Sequence, residues 1–155
     1  MSTASGSERV FSLEFSVEGM DFAATGDVAG NLKRALQQIG LDPVTVRRAC
    51  IVVYEAETNI VIHAYRGRIR VEVSTEGIFI VAEDEGPGIA DVELAMKEGY
   101  STAPQHVREM GFGAGMGLPN IRRSADELEI QTKVGVGTKV QAVINIGRPG
   151  NGGGS

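Results

Sequence analysis

The strongest constraint on the fold is the stretch from Asp42 to Gly67, which reads DPVTVRRACIVVYEAETNIVIHAYRG. Asp42 suits a helix N-cap, Pro43 suits the first helical position, and Gly67 suits the position just past a helix end. Together they predict a helix of more than about twenty residues. The helix has poor intrinsic propensity because it is rich in β-branched residues, so neighbours must cover it on both sides. We expect it to lie at the centre of the domain.

Strand and helix patterns flank this helix. A strand is predicted from Val10 to Val17 and a helix from Asp27 to Leu41. Two hairpins follow, RIRVEVST with GIFIVAED and ELEIQTKV with TKVQAVINI. Between the hairpins lie a short helix, a long glycine-rich segment and another helix, at residues 91–98, 99–117 and about 118–125. The sum predicts an α/β two-layer sandwich, with a mixed, mostly antiparallel sheet and helices on one face.

The length and composition of the chain predict its domain organisation. The 155 residues, 42% of them hydrophobic, predict one domain over residues 10–146, with a flexible N-terminus at 1–9 and a flexible Gly-rich tail at 147–155. A net charge of −5 argues against nucleic acid or an anionic membrane as partner. Cys50 is the only cysteine, and the sequence has neither a secretory signal nor an apolar run long enough to span a membrane. We therefore expect a cytoplasmic protein.

One face of the central helix carries three polar residues. Glu55, Asn59 and His63 follow one another at intervals of four residues, which places them along one stripe. The opposite stripe is apolar and suits the core. A solvated helix face would explain the same pattern, so the stripe alone does not define a site.

A second candidate is EDEGPGIAD, residues 83–91, which follows an apolar strand. Asp84 is then delivered at a strand end, where a carboxylate can accept a hydrogen bond from an exocyclic amine such as that of adenine. Gly86 and Gly88 lack a Cβ, so a flat ring can lie against the main chain. The alternative is a strand-to-helix turn with an acidic N-cap.

The third candidate is GFGAGMGL, residues 111–118, in which every second residue is glycine up to the start of a helix. Peptide N–H groups beside a helix N-terminus are suited to phosphate, so the segment is a candidate phosphate lid. It lacks the Gly-Lys-Ser/Thr of a Walker loop, and no strand precedes it as in a Rossmann turn. A flexible hinge is the alternative.

In this order the three segments, followed by G-x-G-T in a hairpin, resemble the GHKL ATPase superfamily, which has the Bergerat fold. The resemblance covers about residues 25–146. Within the superfamily, YEAETNIVIHAY, EDEGPGIADVELAMKEGYST and GFGAGMGLPNIRR are most similar to the small serine kinases and anti-sigma factors of bacterial partner switching, of the SpoIIAB, RsbW and RsbT type. The last two motifs look closest to the RsbT-like switch kinases.

The resemblance implies a site for ATP or ADP with Mg²⁺. It implies that Glu55 is the catalytic general base, that Asn59 coordinates Mg²⁺, and that Asp84 binds the adenine amine with Thr138 beside it. Gly86, Gly88 and Ile89 would border the ring. Further nucleotide contacts are expected at the phosphate side, from His63, Ser101, Thr102, Gly113, Gly115, Met116, Gly117 and Leu118.

The resemblance implies an ATP-dependent serine/threonine protein kinase that phosphorylates a STAS-domain antagonist or a stressosome-type protein. An alternative is a nucleotide-gated anti-sigma or phosphatase-activating protein without significant kinase activity. A third, disfavoured interpretation is an isolated histidine-kinase catalytic domain. Other partners left open are a sigma factor, a phosphatase and a second copy of the chain, paired through the exposed edge of the first strand.

Overall fold

The structure, a computed structural model, describes residues 9–99, 101, 103, 105 and 117–146. A short 3-10 helix, Phe22–Ala24, follows the first strand. The strands are β1 Arg9–Glu18, β2 Arg66–Ser74, β3 Gly77–Glu85, β4 Glu127–Lys133 and β5 Gly137–Asn145. The helices are α1 Asp27–Gln38, α2 Pro43–His63, α3 Val92–Ala95 and α4 Gly117–Ser124.

The five strands form one sheet in the order β1-β2-β3-β5-β4. The α/β sandwich with helices on one face is confirmed. The prediction of a mixed sheet differs in one respect, because every strand pair among the described residues is antiparallel. The chain crosses over from β3 through α4 to β4, and these two strands do run in the same direction. They form no parallel pair because β5 lies between them.

The start of α2 is as predicted, and its end is not. The Asp42 side chain accepts hydrogen bonds from the backbone N–H groups of Val44, at 3.1 Å, and Thr45, at 3.2 Å. The helix runs for 21 residues to His63, whereas Gly67 lies inside β2. A Cβ at Gly67 would lie 2.7 Å from the Glu83 carbonyl oxygen and 2.8 Å from the Ile60 side chain. This glycine therefore permits close packing of β2 and does not end the helix.

The core lies between the sheet and α2. The helix contacts α1, α4 and four of the five strands, so it is central as predicted. Its inward side chains are almost completely buried, as are those of the middle strands: Val52, Val53, Ile60, Val61, Ile69, Val71, Ile78, Ile80 and Ile144. This burial offsets the poor helix propensity of the β-branched residues.

Glu57, two residues after Glu55 in α2, has a structural role. Its side chain is only 2% exposed, and Oε1 accepts a hydrogen bond of 3.2 Å from the backbone N–H of Gly26. Gly26 is the N-cap of α1 and has no side chain with which to cap it. Glu57 thus caps α1 from the adjacent helix.

The predicted flexible tail and N-terminus lie outside the described residues, apart from Arg9, which opens β1. β1 is an edge strand, as the suggested pairing of two copies would require, but the pairing itself remains a prediction. Within the described chain, no helix combines the length and the apolar character needed to cross a membrane.

Candidate functional site

A cavity of about 510 Å³ opens between the helix layer and one end of the sheet. Its size is within the usual range for small-molecule sites. The cavity brings together residues from the central helix, the loop after β3, the start of α4 and the β4–β5 hairpin. Ten of the residues predicted from the sequence line it: Glu55, Asn59, His63, Asp84, Gly88, Ile89, Ser101, Gly117, Leu118 and Thr138.

Five predicted residues are not among those lining the cavity. Gly86 is buried beneath it, where a Cβ would lie 3.0 Å from the Ala64 Cα. This glycine allows the loop after β3 to pack on the end of α2, which is a structural role. The other four, Thr102, Gly113, Gly115 and Met116, lie outside the described residues.

Asp84 lies near the end of β3, and the neighbouring hairpin fixes its side chain. The backbone N–H of Thr138 donates a 3.2 Å hydrogen bond to Oδ1. Within the described residues Oδ2 accepts no hydrogen bond, so it can accept one from an amino group in the cavity. Burial raises the pKa of Asp84, and the hydrogen bond from Thr138 partly opposes this. The hairpin can approach because residue 137 is glycine, whose Cβ would lie 2.0 Å from the Asp84 carbonyl oxygen.

Thr132, which the sequence pattern did not single out, supports two residues that line the cavity, Ile89 and Thr138. Its Oγ1 accepts a 2.8 Å hydrogen bond from the backbone N–H of Ile89 and lies 2.9 Å from Oγ1 of Thr138. It also donates to the Gly137 carbonyl oxygen at 3.2 Å. Thr132 thereby joins the loop after β3 to both strands of the β4–β5 hairpin. Thr132 and Thr138 are cross-strand partners in the hairpin, whereas the predicted turn at residues 135–137 would have paired Thr138 with residue 134.

Gly88 has a backbone reason to be glycine. Its φ is +77°, a left-handed conformation that side chains disfavour. A Cβ would also lie 2.5 Å from the Lys133 carbonyl oxygen. The loop therefore packs directly on the end of β4 and presents main chain, together with Ile89, to the cavity.

The polar stripe of α2 faces the cavity. Asn59 is half-buried, and its side chain makes no hydrogen bond to a described residue. A Cβ at Gly117 would lie 3.0 Å from Oδ1 of Asn59, so glycine lets α4 begin close to this amide. Desolvation lowers the pKa of His63 from its ordinary value, which keeps the imidazole neutral at pH 7.

Glu55 has a partner that the sequence analysis did not identify. Its Oε2 accepts a 2.8 Å hydrogen bond from Nδ2 of Asn120, in α4. Burial raises the pKa of Glu55, and the hydrogen bond from Asn120 opposes that rise. Asn120 lies within a recognised motif, but no residue spacing indicated its contact with a helix 65 positions earlier.

The described side chains that line the cavity are acidic or neutral. Glu55, Asp84 and Asp91 line it, and the described lining residues include neither lysine nor arginine. A phosphate group in this cavity therefore needs another source of positive charge, such as a metal ion or backbone N–H groups.

Comparison of the sequence with known families identifies the class of protein. The model of the histidine kinase-like ATPase domain family matches residues 21–144, which is well over half of the chain. The chain belongs to this family, and membership implies the use of ATP or ADP. This agrees with the superfamily expected from the motifs.

Two relatives show which members of this family the chain resembles. Serine/threonine-protein kinase RsbT of Bacillus subtilis (strain 168) is 32% identical over 115 residues, which cover 72% of this chain and 80% of the relative. An anti-sigma F factor of Caldanaerobacter subterraneus subsp. tengcongensis is 39% identical over 115 residues, which cover 70% and 77%. The chain is therefore similar to both branches of partner-switching regulators that the motifs indicated.

Solved structures support the fold. The RsbU and RsbW domains of a Mycobacterium tuberculosis protein match with a TM-score of 0.60 and 16% identity, covering 90% of this chain and 34% of that one. The SiaB–SiaC complex of Pseudomonas aeruginosa contains a chain that matches with a TM-score of 0.60 and 15% identity, covering 88% and 89%. At these identities the likeness concerns the fold alone.

Proposed function

We propose that this protein is an ATP-dependent serine/threonine protein kinase of a bacterial partner-switching module. Its substrate is a Ser or Thr hydroxyl on a STAS-domain antagonist or a stressosome-type protein. The observation that carries the proposal is the position of Glu55, a half-buried carboxylate at the nucleotide cavity, one helical turn from Asn59. The similarity to a protein named serine/threonine-protein kinase RsbT supports the same activity.

The adenine end of the site is formed by β3, the loop after it and the β4–β5 hairpin. Asp84 accepts the exocyclic amine through Oδ2, while Thr138 holds Oδ1. Gly88 and Ile89 provide the surface for the ring, and Gly86 allows the loop to sit where it does. This arrangement favours adenine over guanine, since guanine carries an oxygen at the equivalent position of its ring.

The phosphates lie toward the start of α4. Gly117, Leu118 and Ser101 line this end of the cavity, and His63 contributes a neutral imidazole. The remaining phosphate contacts come from Thr102, Gly113, Gly115 and Met116. This assignment rests on the resemblance for those four residues.

Asn59 fits a role in binding Mg²⁺. Its amide oxygen is a hard donor, and its side chain makes no competing hydrogen bond to a described residue. Mg²⁺ usually keeps several waters and takes only one or two protein ligands together with phosphate oxygens. When bound, it supplies the positive charge that the described lining residues lack.

Glu55 acts as the general base. It accepts the proton of the substrate hydroxyl as that oxygen approaches the γ-phosphate. Burial raises the pKa of its carboxyl, which makes it a stronger base than a solvated glutamate. Oε2 is held by Asn120, so Oε1, which has no hydrogen bond within the described residues, is the oxygen that receives the proton.

The kinase reaction is tested with purified protein, radiolabelled ATP, Mg²⁺ and purified STAS-domain proteins as candidate substrates. Glu55→Gln should lower the transfer rate by about 10²- to 10⁴-fold, the usual contribution of a general base, while nucleotide binding persists. Asn59→Ala should weaken Mg²⁺-dependent nucleotide binding as well. Glu57→Gln is the matched control on the same helix and should transfer phosphate normally. Transfer at the wild-type rate by Glu55→Gln would exclude Glu55 as the base.

A second candidate function is nucleotide-gated binding of a sigma factor or a phosphatase without significant phosphorylation. The 39% identity to an anti-sigma F factor favours it. It predicts that the wild-type protein transfers no phosphate, yet captures its partner differently with ADP and with an ATP analogue. Capture by Glu55→Gln would then equal that of wild type.

A further inference from the structure

Three side chains form a continuous line of contacts leading to Glu55. Asn120 donates through Nδ2 to Oε2 of Glu55 at 2.8 Å. Arg123 donates through Nη2 to Oδ1 of Asn120 at 2.5 Å. The other guanidinium nitrogen of Arg123, Nη1, contacts Oε2 of Glu98, which follows α3. The line therefore connects a surface ion pair to the carboxylate in the cavity.

The hydrogen bonds of this line all run in one direction, with Arg123 donating to Asn120 and Asn120 donating to Glu55. Arginine can only donate hydrogen bonds and an ionised glutamate can only accept them. An asparagine amide between the two must therefore turn its oxygen to Arg123 and its NH₂ group to Glu55. Rotation of the amide by half a turn would set its oxygen against the Glu55 carboxylate and its NH₂ group against the Arg123 guanidinium, and both contacts are repulsive. Arg123 and Glu55 therefore favour the same orientation of the Asn120 amide.

We propose that Asn120 is a positioning residue for Glu55 and that Arg123 fixes the orientation of the Asn120 amide. This inference rests on the proposed function, because it assigns the two residues to the phosphoryl-transfer step. Asn120 touches neither nucleotide nor substrate in this scheme. It acts by restricting the rotamers of the Glu55 side chain and by occupying Oε2, so that Oε1 is presented to the substrate hydroxyl.

The strengths of these interactions indicate that Asn120 contributes most to the positioning of Glu55. Both side chains of the Arg123–Glu98 pair are largely exposed, 50% for the arginine and 62% for the glutamate, and exposed ion pairs contribute little. The bond between Asn120 and Glu55 is part-buried and charge-assisted, which makes it a stronger interaction. Loss of Asn120 should therefore cost more activity than loss of Arg123, and loss of Glu98 should cost least.

The charged groups around Glu55 come from several elements. His63 lies on the same helix, Asp84 and Asp91 line the same cavity, and Arg123 lies behind Asn120. None of these residues is substituted in the Asn120 variants. A change in the rate of transfer in such variants therefore reports the loss of the Asn120 amide itself.

The test separates positioning from packing with Asn120→Ala and the nearly isosteric Asn120→Asp. Both should bind Mg²⁺-ATP with a Kd close to that of wild type and should transfer phosphate with a kcat lowered roughly 10- to 100-fold. Asn120→Asp should be the slower of the two, since it places a second carboxylate against Glu55, although it preserves the shape of the side chain. Arg123→Ala should lose about 3- to 10-fold, and the neighbouring Arg122→Ala is the control that keeps full activity.

The outcomes are distinguishable. If Glu55→Gln lowers kcat and Asn120→Asp does not, the positioning role is wrong and the proposed function stands. If Glu55→Gln leaves kcat unchanged, the proposed base is wrong independently of Asn120. Equal losses of kcat and nucleotide affinity in Asn120→Ala would assign the residue to structure alone. The double variant Glu55→Gln/Asn120→Ala should be no slower than Glu55→Gln, because the amide acts only through the carboxylate.

Discussion

Glu57 illustrates how the protein uses a charged residue whose role is structural. Burial raises the pKa of its carboxyl, and the backbone N–H groups of Gly26 and Val28 oppose the rise by donating hydrogen bonds to it. Asp27 and Asp21 add a smaller repulsion that also raises the pKa. The side chain therefore satisfies the N-terminus of α1 at the cost of keeping a charge inside the protein.

Replacement of Glu57 should separate the stabilising hydrogen bonds to α1 from the destabilising burial of a charge. Glu57→Ala leaves buried N–H groups without an acceptor and should lower the free energy of unfolding by about 1–3 kcal/mol. Glu57→Gln keeps one carbonyl oxygen as an acceptor and removes the buried charge, so it should lose less stability than Glu57→Ala at pH 7. Urea unfolding of the three proteins measures the differences.

The pH dependence of this effect has a definite sign. A carboxyl whose pKa is higher in the folded than in the unfolded protein binds more protons when folded. Its contribution to stability is full below the unfolded pKa, about 4.3 for glutamate, and is lost as the pH rises through the folded pKa. Wild type should therefore lose stability relative to Glu57→Gln as the pH is raised from about 4.3 toward neutral pH. A difference that stays constant over this range would contradict a raised pKa for Glu57.

Helical geometry predicts the different roles of two nearby glutamates, but it does not predict the partner of Glu55. Residues 55 and 57 are about 200° apart around a helix, so the sequence already indicated that only one of them faces the site. Glu55 lines the cavity and Glu57 is buried on another side. The contact of Glu55 with Asn120 depends on how α4 docks on α2, which no local spacing encodes.

At the scale of whole elements, close approaches of the main chain bring the site together. β2 passes the end of α2 at Gly67, the loop after β3 packs on Ala64 at Gly86, and the hairpin meets Asp84 at Gly137. Each position is one where a Cβ would collide with a neighbouring element. These glycines therefore set how closely α2, the sheet and the β4–β5 hairpin can surround the cavity.

Gly67→Ala tests this account of the packing. The added Cβ would lie within 3 Å of the Glu83 carbonyl and of the Ile60 side chain, and overpacking of this kind typically costs about 1–3 kcal/mol. Gly30→Ala is the control, because the position lies inside α1 with its nearest contact at 3.9 Å. This replacement should stabilise the protein by up to about 1 kcal/mol. If Gly67→Ala is as stable as wild type in thermal unfolding, β2 does not need the close approach.

The elements themselves could be predicted from local sequence to within a few residues. The start of α2 follows from Asp42 and Pro43, whose chemistry acts within one turn. Its end could not be predicted from Gly67, because that glycine is required by a tertiary contact. The antiparallel sheet could likewise be predicted only in part. The local pattern indicates the hairpins, but it does not indicate that β5 lies between β3 and β4.

For the molecule as a whole, the cavity lies between elements distant in sequence, so nucleotide binding and folding must be coupled. A ligand that binds only the folded state stabilises it by RT ln(1 + [L]/Kd), about 2.7 kcal/mol at a concentration one hundred times Kd. Mg²⁺-ATP and Mg²⁺-ADP should therefore raise the Tm. In the proposed adenine site, Mg²⁺-GTP should raise it less, because Asp84 would repel the carbonyl oxygen that guanine carries in place of the adenine amine.

Asp84→Asn gives this prediction a matched variant. The asparagine oxygen can still accept the Thr138 N–H, but the other atom becomes an NH₂ group, which in the proposed site would face the adenine amine as a second donor. Loss of a hydrogen bond to a charged group should weaken Mg²⁺-ATP binding by about 1.5–3 kcal/mol, which is roughly 10- to 100-fold. The Tm shift at a fixed ATP concentration should shrink accordingly, while the Tm without ligand changes little. An equal shift in both proteins would mean that Asp84 does not bind adenine and that the nucleotide, if bound, lies elsewhere in the cavity.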